Sequence, residues 1–294
     1  MKMKTEVDAF AKINLFLDIE SVREDGYHNI ISYMQSVSLH DRVAVELSEG
    51  VSKEISVTCD KDFVPCDETN LCYKAAEIFP YFTEGKIQIH ITKRIPISAG
   101  LAGGSTDAAA ALVALNRLFG NPYSVEELKR LGIKLGADVP FCIELGSCVA
   151  RGTGDILSAT VPMPDYPIII AKHGEGMSTP GAYRELDIRH GYFKGYQPHT
   201  ERLNCLTDNR YSSIEEYSSG FFNIFEEVVE PQRPYVTEIK KIMKDSGAAA
   251  SMMSGSGTSV FGIFRTEADA AHARDVLASH GIEAHLCYPY SPKK

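Results

Sequence analysis

Residues Pro96 to Leu112 read PISAGLAGGSTDAAAAL, a turn of glycines and hydroxyl residues that runs straight into an alanine-dense helix. Glycines let the backbone approach a ligand closely and adopt φ > 0. The helix start adds unpaired N–H groups and the positive end of the dipole. Together they form a concave site for phosphate, with the Ser105 and Thr106 hydroxyls where a phosphate would sit. The run lacks the lysine of G-x-x-x-x-G-K-[ST]. A nucleotide bound here is therefore held mainly by amides and hydroxyls. Read alone, the glycine pattern fits a turn before a packing helix equally well. Ala108, Ala109, Ala110, Ala111 and Ala114 make that helix slim enough to lie close to a sheet.

The elements around the run follow from periodicity. Val7, Ala9, Ala11, Ile13, Leu15, Leu17 and Ile19 take one face of an alternating segment, and Asp8, Phe10, Lys12, Asn14, Phe16 and Asp18 take the other. Period two over this length predicts one strand or two consecutive strands. Lys12 and Asn14 then project from one face, as catalytic groups or as a solvated edge. Arg23 to His28 reads as a turn, with strands at Val43 to Leu47 and at Ile55 to Cys59. Asn70 to Phe82 reads as a helix, and Ile87 to Ile91 as a strand that feeds Lys93, Arg94 and the glycine run.

The helix after the run is predicted to reach about Phe119, where Gly120-Asn121-Pro122 stops it. Ser124 to Glu127 fits a capping box for a helix ending near Lys134. After Gly136 to Phe141 comes a predicted strand from Ile143 to Ala150, then a turn at Arg151 to Asp155. Val161-Pro162-Met163-Pro164 reads as a domain boundary, giving domains 1–163 and 164–294. The second half alternates: a strand at Tyr166 to Ala171, a helix at Tyr235 to Lys244 and a strand at Val260 to Phe264. A helix from Thr266 to His280 and a strand at Ala284 to Tyr288 complete it. Asp187 to Ser219 is polar and rich in Tyr and His, and is expected to be irregular, with His190 and His199 on surface loop.

A net charge of −9 over 294 residues argues against nucleic acid or an anionic membrane as main partner. It leaves an anionic small substrate open, since backbone amides bind phosphate inside an acidic protein. No stretch approaches the roughly 20 apolar residues of a membrane span, and the first residues carry no hydrophobic signal core. A cytoplasmic location is expected. Seven cysteines with no C-x-x-C suggest neither a disulfide framework nor a zinc site; most are expected in the core.

Five features occur in order: AKINLFLDI from Ala11, DGYH from Asp25, the glycine run, LGADVPF from Leu135 and SGSGTSVF from Ser254. This set resembles the GHMP small-molecule kinase superfamily. Within it the chain is similar to the branch that phosphorylates a cytidine diphosphate-linked methylerythritol, from the first strand to the last. The resemblance implies a two-domain α+β protein. An N-terminal ribosomal-protein-S5-domain-2-like domain would be followed by a ferredoxin-like α/β domain, with the active site in the cleft between them.

The implied reaction moves the γ-phosphoryl group of ATP to the 2-hydroxyl of that substrate, in the non-mevalonate isoprenoid pathway. By resemblance Asp138 is the catalytic carboxylate and Lys12 its cationic neighbour. A tertiary alcohol is a poor nucleophile, so a carboxylate that takes or orients its proton suits the task. The triphosphate is placed on Pro96, Ala99, Gly100, Leu101, Ala102, Gly103, Gly104, Ser105 and Thr106, with Asn70 and Lys93 near adenine and ribose. Tyr27 and Tyr183 would sandwich the cytosine, His28 would read its edge, Thr179 would line the substrate side, and Asn14 would sit near the reacting hydroxyl. Magnesium is expected with ATP, with no protein ligand assigned to it and Thr106 as the candidate. A monomer or homodimer is expected.

Three departures from the family pattern stand out. Ala102 replaces a common glycine, at little cost if its φ is negative. Thr106 replaces a common serine. Thr258 and Ser259 replace Pro-Thr, which is expected to loosen the third glycine loop of the family pattern, SGSGTS from Ser254. Homoserine and mevalonate kinases share the general layout, but their substrates hold no cytosine for DGYH to stack. A nucleotide-binding homologue without turnover is the other alternative, and the presence of both Lys12 and Asp138 speaks against it.

Overall fold

The computed structural model of the chain describes residues 2–208 and 211–292. The elements in order are β1 (Lys2–Val22), β2 (His28–Ser48), β3 (Lys53–Cys59), α1 (Leu71–Ile78), β4 (Gly85–Thr92), α2 (Gly103–Leu118), α3 (Val125–Gly132) and α4 (Val139–Glu144). They continue with β5 (Ser147–Arg151), β6 (Ile156–Ala159), β7 (Ile168–Lys172), α5 (Thr179–Arg189), a 3₁₀ turn (Gly191–Phe193), α6 (Thr200–Thr207), α7 (Ile214–Ser218) and β8 (Phe222–Asn223). The chain closes with α8 (Glu226–Val229), α9 (Pro234–Asp245), β9 (Ala250–Met253), β10 (Val260–Ile263), α10 (Glu267–Ser279) and β11 (Glu283–Cys287).

Two compact units share the chain without being its consecutive halves. The first is Met1–Ala11, His40–Ile97 and Ala102–Leu145; the second is Lys12–Leu39, Ser98–Leu101 and Gly146–Lys294. In the first, β4 lies between β2 and β3, antiparallel to β2 with Val45 opposite Ile89 and parallel to β3 with Val57 opposite Ile89. The alternation foreseen for β4 holds: Ile87, Ile89 and Ile91 are buried, while Lys86, Gln88 and His90 are exposed. Helix α2 packs against α1, α3 and α4, and its alanines 108–111 are buried. Small side chains permit that close approach.

In the second unit, β8 pairs parallel with β1, Phe16 opposite Phe222. β5 pairs antiparallel with β2, Met34 opposite Cys148, and then with β6. A separate antiparallel sheet runs β11-β7-β10-β9, with α9 and α10 packed on it. Its inner strand β7 is apolar from Ile168 to Ala171 and fully buried there, which is why it reads as a continuous hydrophobic run. This is the α/β arrangement foreseen for the C-terminal part.

Several local expectations are corrected. Helix α1 stops at Ile78, not Phe82, because Pro80 pushes Phe79 out of the helical region (φ −73, ψ 111). Residues 139–144 are a helix where Ile143 was expected to open a strand; Pro140 sits in its first turn, and an apolar run of this length does not distinguish helix from strand by period. The strand β6 was not foreseen. The described part of Asp187 to Ser219 is largely helical rather than irregular: α6 buries Leu203 and Leu206, and α7 is capped by Ser213 and buries Ile214 and Tyr217. Asn209 and Arg210, in that stretch, lie outside the described residues. His190 and His199 are not free loop residues either; they bond Glu227 and Asp18. Cys72, Cys142, Cys148 and Cys287 are buried, whereas Cys66 and Cys205 are exposed. Among the described residues no helix is long and apolar enough to cross a membrane.

Candidate functional site

The glycine run is bent where a phosphate cradle needs bends. Ser98, Gly100 and Ala102 have φ of 48°, 73° and 59°. Residues 98–101 are clasped from outside. Ser259 N–H donates to Ala99 O, Ser254 Oγ donates to Gly100 O, and Lys12 N–H donates to Leu101 O. A Cβ on Gly100 would stand 2.0 Å from the Ser254 carbonyl oxygen, so only glycine fits. At the other end, α2 starts at Gly103, and Thr106 N–H makes its first intrahelical bond, to Ala102 O. The N–H groups of Gly103, Gly104 and Ser105 therefore have no helical acceptor.

The hydroxyls of the run separate. Thr106 Oγ1 is buried and donates to Phe10 O, which takes it away from a ligand. Ser105 Oγ makes no hydrogen bond among the described residues and is half-buried. It lies 3.8 Å from where a Gly136 Cβ would be, so the first unit brings the helix start beside the GADVPF bend.

Ala102 does not have the negative φ that would make it cost-free. At φ 59° it carries the left-handed penalty of about 1–2 kcal/mol. Ala102→Gly is expected to stabilise the fold by about 0.5–1 kcal/mol after the added flexibility of the unfolded chain is subtracted. Denaturant midpoints of the two proteins check this.

The residues expected near adenine have partners of their own. Asn70 caps α1: its Oδ1 accepts from Cys72 N–H and its Nδ2 donates to Pro65 O. The Lys93 ammonium is buried between Asp41 Oδ2 at 2.5 Å and Asp107 Oδ2 at 2.9 Å. Burial works against that ammonium, but the Asp107 and Asp41 carboxylates outweigh it and hold its pKa above the ordinary lysine range. Burial pushes Asp107 up to about 8, against the pull of Lys93 and helped by the Asp41 charge.

On β1, Lys12 and Asn14 are not a solvated edge. Both are buried, and Lys12 Nζ donates to Asn14 Oδ1 at 2.6 Å. Asn14 Nδ2 donates to Ser32 Oγ, which donates in turn to Phe16 O. Asn14 N–H reaches Ser254 Oγ at 3.3 Å. The chain of bonds fixes the Asn14 amide with its oxygen toward Lys12. Among the described residues no carboxylate pairs with the Lys12 ammonium.

Asp138 stands at the N-cap position of α4 yet does not cap it; its side chain accepts no bond from the helix amides. Among the described residues its carboxylate has no hydrogen bond or ion pair, and the residue is half-buried. Val139 to Ile143, all buried, hold this short helix from behind.

In the second unit His28 is buried, with Nε2 2.7 Å from Asp187 Oδ1. Its ring lies 4.6 Å from the Tyr183 ring, which meets Phe225 edge-on. Tyr27 is 66% exposed, so its ring is open to a stacking partner. Thr179 Oγ1 is 2.8 Å from Ser256 Oγ, in the third glycine loop.

Sequence reasoning missed four supporting residues. Ser32 holds Asn14, Asp187 orients His28, Asp41 holds Lys93, and Ser254 ties the first glycine loop to β1. Only Ser254 left a signal, as the first residue of SGSGTS. The others act across 18, 159 and 52 residues of chain.

Comparison with known proteins supplies an independent view. Residues 70–146 match the GHMP kinases N terminal domain and residues 205–283 the GHMP kinases C terminal domain. A 4-diphosphocytidyl-2-C-methyl-D-erythritol kinase of Clostridium perfringens is 39% identical over 279 residues, covering 94% of this chain and 93% of its own. One of Caldicellulosiruptor saccharolyticus is 41% identical over 271 residues, covering 92% and 91%. A crystal structure of 4-(cytidine 5'-diphospho)-2C-methyl-D-erythritol kinase superposes with a TM-score of 0.77 at 30% identity, covering 97% of this chain and all of its own. A homoserine kinase from Cytophaga hutchinsonii, at 21% identity and a TM-score of 0.70, shares the fold.

Proposed function

The chain belongs to the 4-diphosphocytidyl-2-C-methyl-D-erythritol kinase family of the GHMP kinases, and from that membership we propose how its residues divide the work of phosphoryl transfer. The protein is an ATP-dependent small-molecule kinase. It moves the γ-phosphoryl group of ATP to the 2-hydroxyl of 4-diphosphocytidyl-2-C-methyl-D-erythritol and releases ADP, a step of non-mevalonate isoprenoid synthesis.

Asp138 accepts or orients the proton of the 2-hydroxyl. The observation that carries this role is a carboxylate at the head of α4 that the fold leaves uncommitted. A loose transition state asks mainly for placement and charge balance. The three free amides of Gly103, Gly104 and Ser105, with the Ser105 hydroxyl, receive phosphate oxygens in place of a Walker lysine. The Lys12 ammonium balances the charge that builds on the transferred group, while Asn14 holds it in one orientation. Lys12→Met keeps the buried stem and removes the charge. It is expected to lower kcat by about 10²–10³-fold with little change in melting temperature, read by steady-state kinetics beside thermal unfolding.

Tyr27 and Tyr183 flank the cytosine, His28 reads its edge, and Thr179 lines the same side. Stacking tolerates any flat base, so the polar groups supply selectivity. Among the described residues no three His, Cys, Asp or Glu side chains gather as a metal cage. A magnesium ion brought in with ATP would supply neutralisation of phosphate charge. The net charge of −9 speaks against nucleic acid or an anionic membrane as the main partner; a cytoplasmic monomer or homodimer is the accompanying proposal.

The test is ADP release with the cytidyl substrate, homoserine and mevalonate supplied in turn. Release is expected with the cytidyl compound alone. Turnover of either other alcohol in its place, or ATP binding with no substrate-dependent release, overturns the reading.

A further inference from the structure

Lys93 occupies a position that the family resemblance gives to the nucleotide, yet its ammonium is spent inside the first unit. Asp41 Oδ2 and Asp107 Oδ2 both take it, and all three side chains are at most 6% exposed. Asp41 has a second task. Its Oδ1 accepts the backbone N–H of Arg94 at 2.5 Å and of Ile95 at 2.8 Å. These are the last two residues before Pro96 opens the glycine run. Asp107 lies near the start of α2, the helix into which the run leads. One buried network thus grips the chain just before Pro96 and again near the start of α2.

The network also lies against the cradle itself. A Cβ on Gly103 would stand 3.2 Å from Lys93 Nζ, so the ammonium packs against the first residue of the helix. Its composition is poorly explained by stability. Apolar side chains of similar size commonly replace a buried ion pair without loss. Here Asp107 Oδ1 is buried with no partner among the described residues, a cost that such a replacement would remove.

We propose that Asp41 is a positioning residue for nucleotide binding: through Lys93 and Asp107 it sets the spacing between Pro96 and the free amides of Gly103, Gly104 and Ser105. The role rests on the assignment of ATP phosphates to the glycine run. Asp41 touches no phosphate; it fixes where the chain enters the cradle relative to the helix that ends it.

Asp41→Asn tests this in the full-length protein. An amide there turns an N–H group toward either the Lys93 ammonium or the Arg94 and Ile95 amides, so one link is broken in either orientation. KM and Kd for ATP are expected to rise about 10-fold or more, as a sub-ångström to 1 Å misplacement of binding groups would cause. KM for the cytidyl substrate is expected to stay within about twofold, because that side of the protein is built from the other unit. A residue with a merely structural role would lower the melting temperature and move both KM values together. That outcome, or an unchanged ATP Kd, overturns the proposal.

Should Asp41→Asn fold poorly, Asp107→Leu keeps the question open to test, since it leaves the buried Lys93–Asp41 pair intact and removes only the network's hold on α2. Its ATP Kd is expected to rise about 10-fold, and a wild-type value overturns the proposal. Failure of the wild-type protein to bind ATP would refute the nucleotide assignment itself. Normal wild-type binding with unaltered variants would refute only the positioning role.

Discussion

Asp138→Asn is expected to lower kcat by about 10²–10⁴-fold while ATP affinity stays within about threefold. The substitution keeps size and shape and removes only the ability to take a proton or hold it by charge. Asp138 makes no bond to the α4 amides and no ion pair among the described residues. Its replacement therefore breaks no structural contact, and the melting temperature should barely move. Single-turnover kinetics beside calorimetric ATP binding separates the two effects. A kcat close to that of the wild type would remove Asp138 from the chemistry. A parallel loss of ATP affinity would make it a binding group.

Gly100→Ala is expected to damage nucleotide use as severely by another route. The added Cβ would meet the Ser254 carbonyl oxygen at 2.0 Å and the Gly257 nitrogen at 3.2 Å. Both are backbone atoms, so no rotamer change relieves the clash. The residue also sits at φ 73°. The loop must shift by about 1 Å or more, and kcat/KM for ATP is expected to fall about 10²-fold. Gly281→Ala is the matched control: φ is 72°, but nothing lies within 4 Å. It should cost stability of about 1 kcal/mol with kcat/KM unchanged. Equal kinetic losses in the two variants would mean that backbone strain, not the close approach of the two glycine loops, is what matters.

These two predictions draw on different amounts of sequence information. The glycine run was legible because its signal is local: Gly100 and the helix start at Gly103 are written within a few residues. The long strand β1 and the capping box at Ser124 and Glu127 were legible for the same reason; both halves of that box are formed. Asp138 is singled out only by resemblance, and the end of the helix it opens reads as a strand in sequence because Val139 to Ile143 gives no period. The burial of Lys12 and Asn14 was equally hidden. Alternation placed them on one face, but whether that face is wet depends on Ser32 and Ser254, 18 and 240 residues away.

The aromatic side shows the same limit. Tyr27 and His28 stand together in DGYH, yet the carboxylate that orients His28 comes from α5, inside a stretch expected to be irregular. Short helices such as α6 and α7 bury only two residues each, too few to imprint a period on a polar sequence. Lys93 is the sharpest case. Resemblance places it near adenine and ribose, but its ion pairs with Asp41 and Asp107 leave no trace in the sequence. A network joined across 52 residues has no local pattern to read.

Phosphorus NMR of a reaction containing the purified protein, magnesium ATP and 4-diphosphocytidyl-2-C-methyl-D-erythritol tests the central claim most directly. One new phosphomonoester signal, coupled to the methyl-bearing quaternary carbon and matched mole for mole by ADP, is the expected result. ATP breakdown to inorganic phosphate with the diphosphocytidyl compound recovered intact, or a phosphate on a different carbon, would contradict it.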